Sequence, residues 1–312
     1  MIKNPDALAY AINSAFNSVK GKKIATKHVV ASLPEEKSFF QVIKMPQMTE
    51  KELETSVPFE AENYIPLSID KAYLDFAAVD SFKSDNSNHV HVLVNAVPKV
   101  VVDSYLACLK KAGMVPCVLE LESQAAARAL MKKEESSQSA ALIDFSQSST
   151  NFMIFSKGYI RFTASIPVSS EQLTMAISRE LDISRANAEK LKISYGFPKK
   201  EEDKYDIAKT IKPILLDLSL RIKKYIDFYN NSSLHEYDSR GDKVEKLILS
   251  GGGANLKNLA DFFFKELKIK TELGNPMINI SQKNRKIKIP QESLLSFTSV
   301  IGLALRGATE NL

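Results

Sequence analysis

The 312-residue chain has no tryptophan, two cysteines, eleven glycines and no apolar run near the roughly 20 residues that cross a bilayer as a helix. Cys108 and Cys117 form neither a CxxC pair nor a cysteine-rich framework, which excludes a disulfide scaffold and fits a reducing cytoplasm. The residues after Met1 are not expected to act as a signal peptide. Phosphate-loop signatures are missing: there is no GxxxxGK[ST], and Gly251-Gly252-Gly253-Ala254-Asn255-Leu256 fails GxGxxG. His89 and His91 share one strand face but have no third ligand at metal spacing, so they read as solvated strand residues. The formal charge of +5 is spread along the chain without a basic nucleic-acid motif, and no nucleic acid is expected as partner. Lys283, Arg285, Lys286 and Lys288 form a basic patch that reads as a solvated turn or a contact for anionic lipid or an acidic partner.

What is present is a mixed α/β pattern long enough for two lobes. Pro5 to Val19 places Leu8, Ala11, Ile12, Ala15, Phe16 and Val19 at helical spacing, with Pro5 suited to the first turn. Strands are expected at Val29–Leu33, Phe39–Lys44, Ala72–Val79, Val90–Ala96 and Pro116–Leu121, with the polar stretch Ser81–Asn88 between the third and fourth. Thr49 with Glu52 three residues on announces a capped helix that Pro58 should kink or end. A helix from Pro98 to Ala112 stops at Gly113. The polar run Met131–Ser139 reads as a linker. Beyond it, helices are expected over Glu171–Tyr195, with Ser184 as an internal cap, and over Asp206–Tyr229, Asn255–Leu267 and Leu294–Arg306. Asn230–Asp242 reads as a polar exit loop.

Two motifs carry chemistry. Ala141-Leu142-Ile143-Asp144 runs from an apolar strand into the polar turn Phe145 to Thr150, and the strand Asn151–Phe155 follows at once. Such a unit aims a carboxylate and several backbone N–H groups at one place, suited to phosphate and a hydrated magnesium ion. Asp144 is the candidate acid; Ser146, Gln147, Ser148, Ser149 and Thr150 are the candidate cradle. A plain turn with an Asp at its start is the competing reading. Leu247-Ile248-Leu249-Ser250 then empties into Gly251, Gly252 and Gly253, which either form an ordinary strand-to-helix turn or let a flat ligand approach the backbone.

The ordered strings Met45-Pro46, Glu52-Leu53, Glu60-Ala61-Glu62-Asn63-Tyr64-Ile65-Pro66, Ala188-Glu189-Lys190-Leu191-Lys192, Leu249 to Ala254, Asn275-Pro276 and Gly302-Leu303-Ala304-Leu305-Arg306-Gly307 resemble the PilM family of type IV pilus assembly proteins. That family is related to the cell-division protein FtsA. The resemblance covers nearly the whole chain and implies an actin-like, ribonuclease H-like two-lobed fold with an inserted α+β subdomain in place of the usual small one. Its division would be 1–26 as part of the large lobe, 27–119 as the insert and 120–137 as the return segment. Residues 138–180 and 246–293 would form the second lobe, 181–245 a helical small subdomain and 294–312 a last helix of the large lobe.

It further implies ATP with Mg2+ as cofactor. Asp144 to Thr150 would be the second phosphate motif, with Asp144 holding magnesium through water. Gly251 to Gly253 would be the adenosine motif, and Glu189 with Lys192 would meet ribose and base. Glu122 would orient the attacking water. Read from the residues alone, Glu189 and Lys192 are an i,i+3 surface pair and Glu122 a local cap. The family's strand–turn–strand hairpin with the first phosphate motif, and the first strands of its large lobe, are not found in these residues; the expectation is that the natural protein starts upstream of Met1, the alternative that something else completes the lobe. Ser146 stands where a glycine is usual, tolerable if its φ is negative. ATP binding is accordingly expected to be impaired in these residues, and any ATPase activity weak.

The implied role is a cytoplasmic adaptor at the inner membrane. It would grip the N-terminal cytoplasmic tail of a PilN-like membrane protein in a groove near Tyr64, Ile65 and Pro66, join other pilus assembly proteins in a homo-oligomeric ring, and reach the membrane only through a partner. The rival readings are an ATPase of the actin superfamily and an FtsA-like filament-forming membrane adaptor.

Overall fold

The computed structural model describes residues 2–80, 89–132, 139–197, 207–231, 243–280 and 289–309. The stretch Ser81–Asn88, Asp206, the basic patch Lys283–Lys288 and most of the expected linker and exit loop lie outside these residues. The chain divides into two compact units, Met1–Glu122 with Leu303–Leu312, and Ser123–Gly302.

In the first unit, helix α1 (Pro5–Asn17) starts on Asn4, whose side chain accepts from the Ala7 N–H at 3.0 Å. Strand β1 (His28–Leu33) leads to β2 (Phe39–Pro46), α2 (Glu50–Ala61), β3 (Ala72–Asp80), β4 (His89–Pro98), α3 (Lys99–Lys111) and β5 (Val115–Leu121). The stretch expected as one α+β module holds two sheets. β1 and β5 pair in parallel, while β2, β4 and β3 form an antiparallel sheet with β4 at its centre.

One face of the three-stranded sheet, through Ile43, Met45, Val92, Val94 and Ala96, buries Leu53, Val57 and Ala61 of α2. The Thr49–Glu52 capping box forms, and α2 runs on through Pro58 rather than ending there. Two turns of helix already packed by Leu53 and Val57 outweigh the hydrogen bond that Pro58 removes. α3 ends as expected, with Gly113 at φ 73. Val101 and Val102 of α3 pack with Leu33 and Leu121, so α3 covers the parallel pair.

The second unit is built on a five-stranded sheet. Its strands are β6 (Ser139–Phe145), β7 (Thr150–Ser156), β8 (Tyr159–Ile166), β9 (Val244–Ser250) and β10 (Lys270–Leu273), in the order β10-β9-β6-β7-β8. β10, β9 and β6 are parallel, and β7 and β8 return antiparallel. Every residue of β6 and β7 is buried, so both read as continuous apolar runs without alternation.

Helices α4 (Glu122–Leu130), α5 (Ser170–Glu180), α6 (Arg185–Tyr195), α7 (Ile207–Asn231), α8 (Leu259–Leu267), α9 (Gln291–Ser296) and α10 (Thr298–Thr309) complete the chain. The α7 stripe Ile207, Ile211, Leu215, Leu218, Ile222 and Ile226 is buried in the main core. Phe262 and Phe263 join that core, while Phe264 is half exposed.

Three helix expectations are corrected. Glu171–Tyr195 is two helices with a break at Asp182, whose φ is 49, and Ser184 caps the second of them as expected. Leu294–Arg306 is likewise two, because Phe297 leaves helical geometry between α9 and α10. The helix after the glycines begins at Leu259, since Gly252–Asn255 forms a tight 3-10 turn first.

Candidate functional site

Asp144 is the last residue but one of β6, in register with Asn151 of β7 and Ser250 of β9. Its carboxylate is 6% exposed. It accepts from the Ser146 hydroxyl at 3.0 Å and from the Ser299 side chain in the first turn of α10. Burial raises its pKa above the usual carboxylate value, against the opposing pull of these two donors.

The glycine turn packs onto the same strand end. A Cβ on Gly251, whose φ is 83, would lie 2.3 Å from Asp144 Oδ1 and 2.5 Å from the Phe145 carbonyl oxygen. One on Gly253 would meet the Phe145 ring at 2.5 Å. The Gly251 N–H donates to the Leu295 carbonyl of α9 at 3.0 Å. Two of the three glycines are therefore demanded by the chain itself, and Gly252 alone is exposed.

The turn after Asp144 divides its candidates. Ser146 is not among the residues with positive φ, and both its donors are used, the N–H by Ser149 O at 3.0 Å and the hydroxyl by Asp144. Thr150 is buried with its hydroxyl donating to Val168 O at 2.6 Å, so neither side chain forms part of an open cradle. Gln147 and Ser148 are exposed, and among the described residues nothing accepts from their backbone N–H groups. Ser149 is half-buried beside them.

Helix α5 docks its start on this turn. Ser169 and Gln172 form a capping box, and the N–H groups of Ser170 and Glu171 donate to Ser146 O at 3.0 Å and Gln147 O at 3.2 Å. Lys192 reaches the same place from α6. It is buried rather than at the surface, and its ammonium donates to Ser170 O at 3.2 Å and to Ser170 Oγ and Thr174 Oγ1, both at 2.8 Å. It also pairs with Glu189 Oε2 at 2.8 Å.

Thr174 has a single proton, and the 2.5 Å contact assigns it to Glu189 Oε2. Burial raises the Glu189 pKa, but Lys192 and Thr174 together outweigh it and leave the carboxyl below its usual value. The second oxygen, Oε1, has no partner among the described residues, and the side chain is 43% exposed. Ser170 and Ser299 carried no signal in the sequence, because small hydroxyl residues are as frequent on surfaces as in such contacts.

Asp144, the turn, the glycines, Glu189 and Lys192 thus form one connected set in the second unit. Glu122 lies in the first unit, at the start of α4, where its charge helps burial raise the Tyr105 hydroxyl pKa. Tyr64, Ile65 and Pro66 lie there also. Ile65 is buried in the α2 core and offers nothing to a groove, whereas Tyr64 and Pro66 are exposed. Among the described residues no group of three or more His, Cys, Asp or Glu could hold a metal ion.

The family model of the type IV pilus assembly protein PilM matches residues 1–308. The chain belongs to the PilM family. It is 27% identical to the chain solved in a PilM-PilN type IV pilus biogenesis complex, with a TM-score of 0.80 over 98% of this chain and 86% of that one. FtsA of Buchnera aphidicola subsp. Acyrthosiphon pisum is 28% identical over 198 residues, which is 57% of this chain and 46% of that protein. FtsA of Bacillus subtilis is 33% identical over 98 residues, 31% of this chain and 22% of its own. The chain spans less than half the length of these two relatives.

MreB5 of Spiroplasma citri bound to AMPPNP superposes with a TM-score of 0.53 at 17% identity, covering 69% of this chain and 66% of its own. The fold is actin-like and two-lobed, and within it the PilM family strings acquire structural reasons. Gly302 lets α10 cross α4, since a Cβ there would lie 1.8 Å from the Ala125 carbonyl oxygen. Arg306 of the same string bonds the buried Glu120 at 3.2 Å. Asn275 caps its own turn by accepting from the Met277 N–H at 3.2 Å.

Proposed function

We propose that this protein is a cytoplasmic assembly adaptor of the type IV pilus machine that binds the N-terminal tail of a PilN-like inner-membrane protein. The observation that carries this is similarity along essentially the full chain to the partner solved with PilN. Among the described residues no helix is long and apolar enough to cross a membrane, and attachment through a partner meets that need. Other pilus proteins and further copies of the chain would join the same assembly.

The second unit fits ATP with Mg2+ as a ligand of this adaptor. Gln147 and Ser148, exposed and with backbone N–H groups that nothing accepts among the described residues, would hold a phosphate. Glu189 Oε1, oriented by the bonds on Oε2, would accept from ribose hydroxyls, and exposed Gly252 would leave room for the base. Asp144 would hold the hydrated cation, and bound magnesium supplies charge neutralisation to the phosphates. Glu122 is the candidate for orienting water, should any turnover occur.

Isothermal titration with a PilN N-terminal peptide, alongside Mg-ATP, tests both halves. The expected result is peptide binding, with nucleotide affinity lost in Gly252→Val and Glu189→Ala. Turnover of ATP by a chain that ignores the peptide overturns the adaptor reading in favour of an ATPase of the same fold.

A further inference from the structure

The turn after Asp144 owes the direction of its free N–H groups to helix α5. A peptide unit is planar and trans, so its N–H points opposite to its C=O. The Ser146 carbonyl is held by the Ser170 N–H at 3.0 Å, and the Gln147 carbonyl by the Glu171 N–H at 3.2 Å. The N–H groups across those two peptide bonds, on Gln147 and Ser148, therefore point away from α5. Whatever fixes Ser170 and Glu171 also aims the two donors assigned to phosphate.

Both are fixed from α6. Lys192 donates to Ser170 O and Oγ and so secures the first donor. Arg185 secures the second: its Nε and Nη2 fork onto the two oxygens of Glu171 at 2.5 and 2.7 Å. Glu171 in turn grips Gln147 twice, with its N–H on the carbonyl and its carboxylate on the side-chain amide. The guanidinium is the main cause that holds the Glu171 carboxyl below its usual value, and so ionised.

Stability alone is a weak reason for this fork, because Arg185 is 59% exposed and an exposed ion pair adds modestly to a fold. Charge alone is a worse reason for Glu171, because a carboxylate beside an anion site repels the anion. What Glu171 holds in place gives both residues a purpose.

We propose that Arg185 and Glu171 are positioning residues for the phosphate half of the site: the guanidinium orients the carboxylate, and Glu171 aims the Ser148 N–H by gripping Gln147. This rests on the nucleotide reading of the second unit. It adds that α6 serves both halves of a nucleotide, ribose through Glu189 and phosphate through Arg185.

The test compares Mg-ATP, by isothermal titration, with adenosine, by ligand-observed NMR, on the wild-type chain and on Glu171→Ala, Arg185→Ala, Arg185→Lys and the double variant Glu171→Ala/Arg185→Ala. Charge and positioning predict opposite signs for Glu171→Ala. Loss of a negative charge beside the phosphates would by itself tighten ATP, whereas loss of the grip on Gln147 should weaken it about fivefold, the worth of one hydrogen bond. Adenosine affinity should stay as in the wild type. Arg185→Lys should weaken ATP nearly as much as Arg185→Ala, since an ammonium lacks the planar fork. The double variant should fall no further than the worse single one, as two residues acting in series do. Glu189→Ala, at the ribose, should weaken both ligands.

If the wild type ignores Mg-ATP, the nucleotide reading fails and takes this inference with it. If the wild type binds and Glu171→Ala binds as tightly or tighter, or Arg185→Lys matches the wild type, the nucleotide reading stands and the positioning role is wrong. Equal losses for adenosine and ATP in the Arg185 and Glu171 variants would mean that the pair only braces α5 against α6, which also overturns it.

Discussion

Gly302 and Gly113 are irreplaceable for different reasons, and the difference is measurable. Gly302 lies inside α10, where backbone freedom is a liability, but its missing Cβ leaves room for Ala125 O at 1.8 Å. Gly302→Ala must push α10 off α4, which the buried Ala125, Ala126 and Ala129 resist, and should cost about 3 kcal/mol. Gly113 has nothing within 4 Å of a Cβ and only its φ of 73 to defend, so Gly113→Ala should cost about 1 kcal/mol. Urea midpoints at constant slope would show the ranking. Lys192 is the second residue-scale case. Its i,i+3 spacing to Glu189 was legible, but its burial was not, because spacing does not say which side of a helix is covered. Lys192→Met leaves Ser170 and Thr174 without their donor and should cost about 2 kcal/mol in chemical denaturation. Glu189→Gln, half exposed, should cost under about 1 kcal/mol.

Elements with a strong period or a cap were legible, and those shaped by sheet position were not. The α7 stripe and the Thr49–Glu52 box specify their helices locally. β8 gave no expectation because, as an edge strand, it is partly buried on both faces and shows no alternation. β10, at four residues, is too short for any period. The break after α5 is set by local chemistry, a left-handed Asp182 and the Ser184 cap on the Asn187 N–H, whereas the break after α9 contains neither Gly nor Pro. α10 shows how one element gathers long-range roles that no local pattern announces: Ser299 bonds Asp144, and Arg306 bonds Glu120, whose side chain is 1% exposed. Arg306→Ala removes a charged donor from that buried carboxyl and should cost about 2 kcal/mol. Arg306→Lys, which keeps the charge but loses the planar fork, should fall between, as thermal melts of the three proteins would show.

At the scale of the whole molecule, the order β10-β9-β6-β7-β8 brings two motifs a hundred residues apart in sequence to neighbouring strand ends, which is why the pair was readable while its surroundings were not. The fold holds Asp144 at a cost to itself. Its carboxyl is raised from 3.8 chiefly by burial, so folding favours the protonated form. The stability tied to that proton is full below the unfolded value near 3.8 and is lost as pH rises through the higher folded value. Glu171 and Glu189 have lowered values and act in the opposite sense, gaining as pH rises, so the pH profile of the wild type alone mixes both. Subtracting the Asp144→Asn profile from it cancels the groups common to both proteins. The variant should show nearly wild-type stability at pH 3 and an advantage that grows above pH 4, reaching on the order of 1 kcal/mol at neutral pH. Mg-nucleotide affinity should fall in the same variant if Asp144 serves the cation. A difference profile that is flat with pH would mean that the carboxylate is not strained by burial; one that falls as pH rises would mean that Ser146 and Ser299 more than compensate for it.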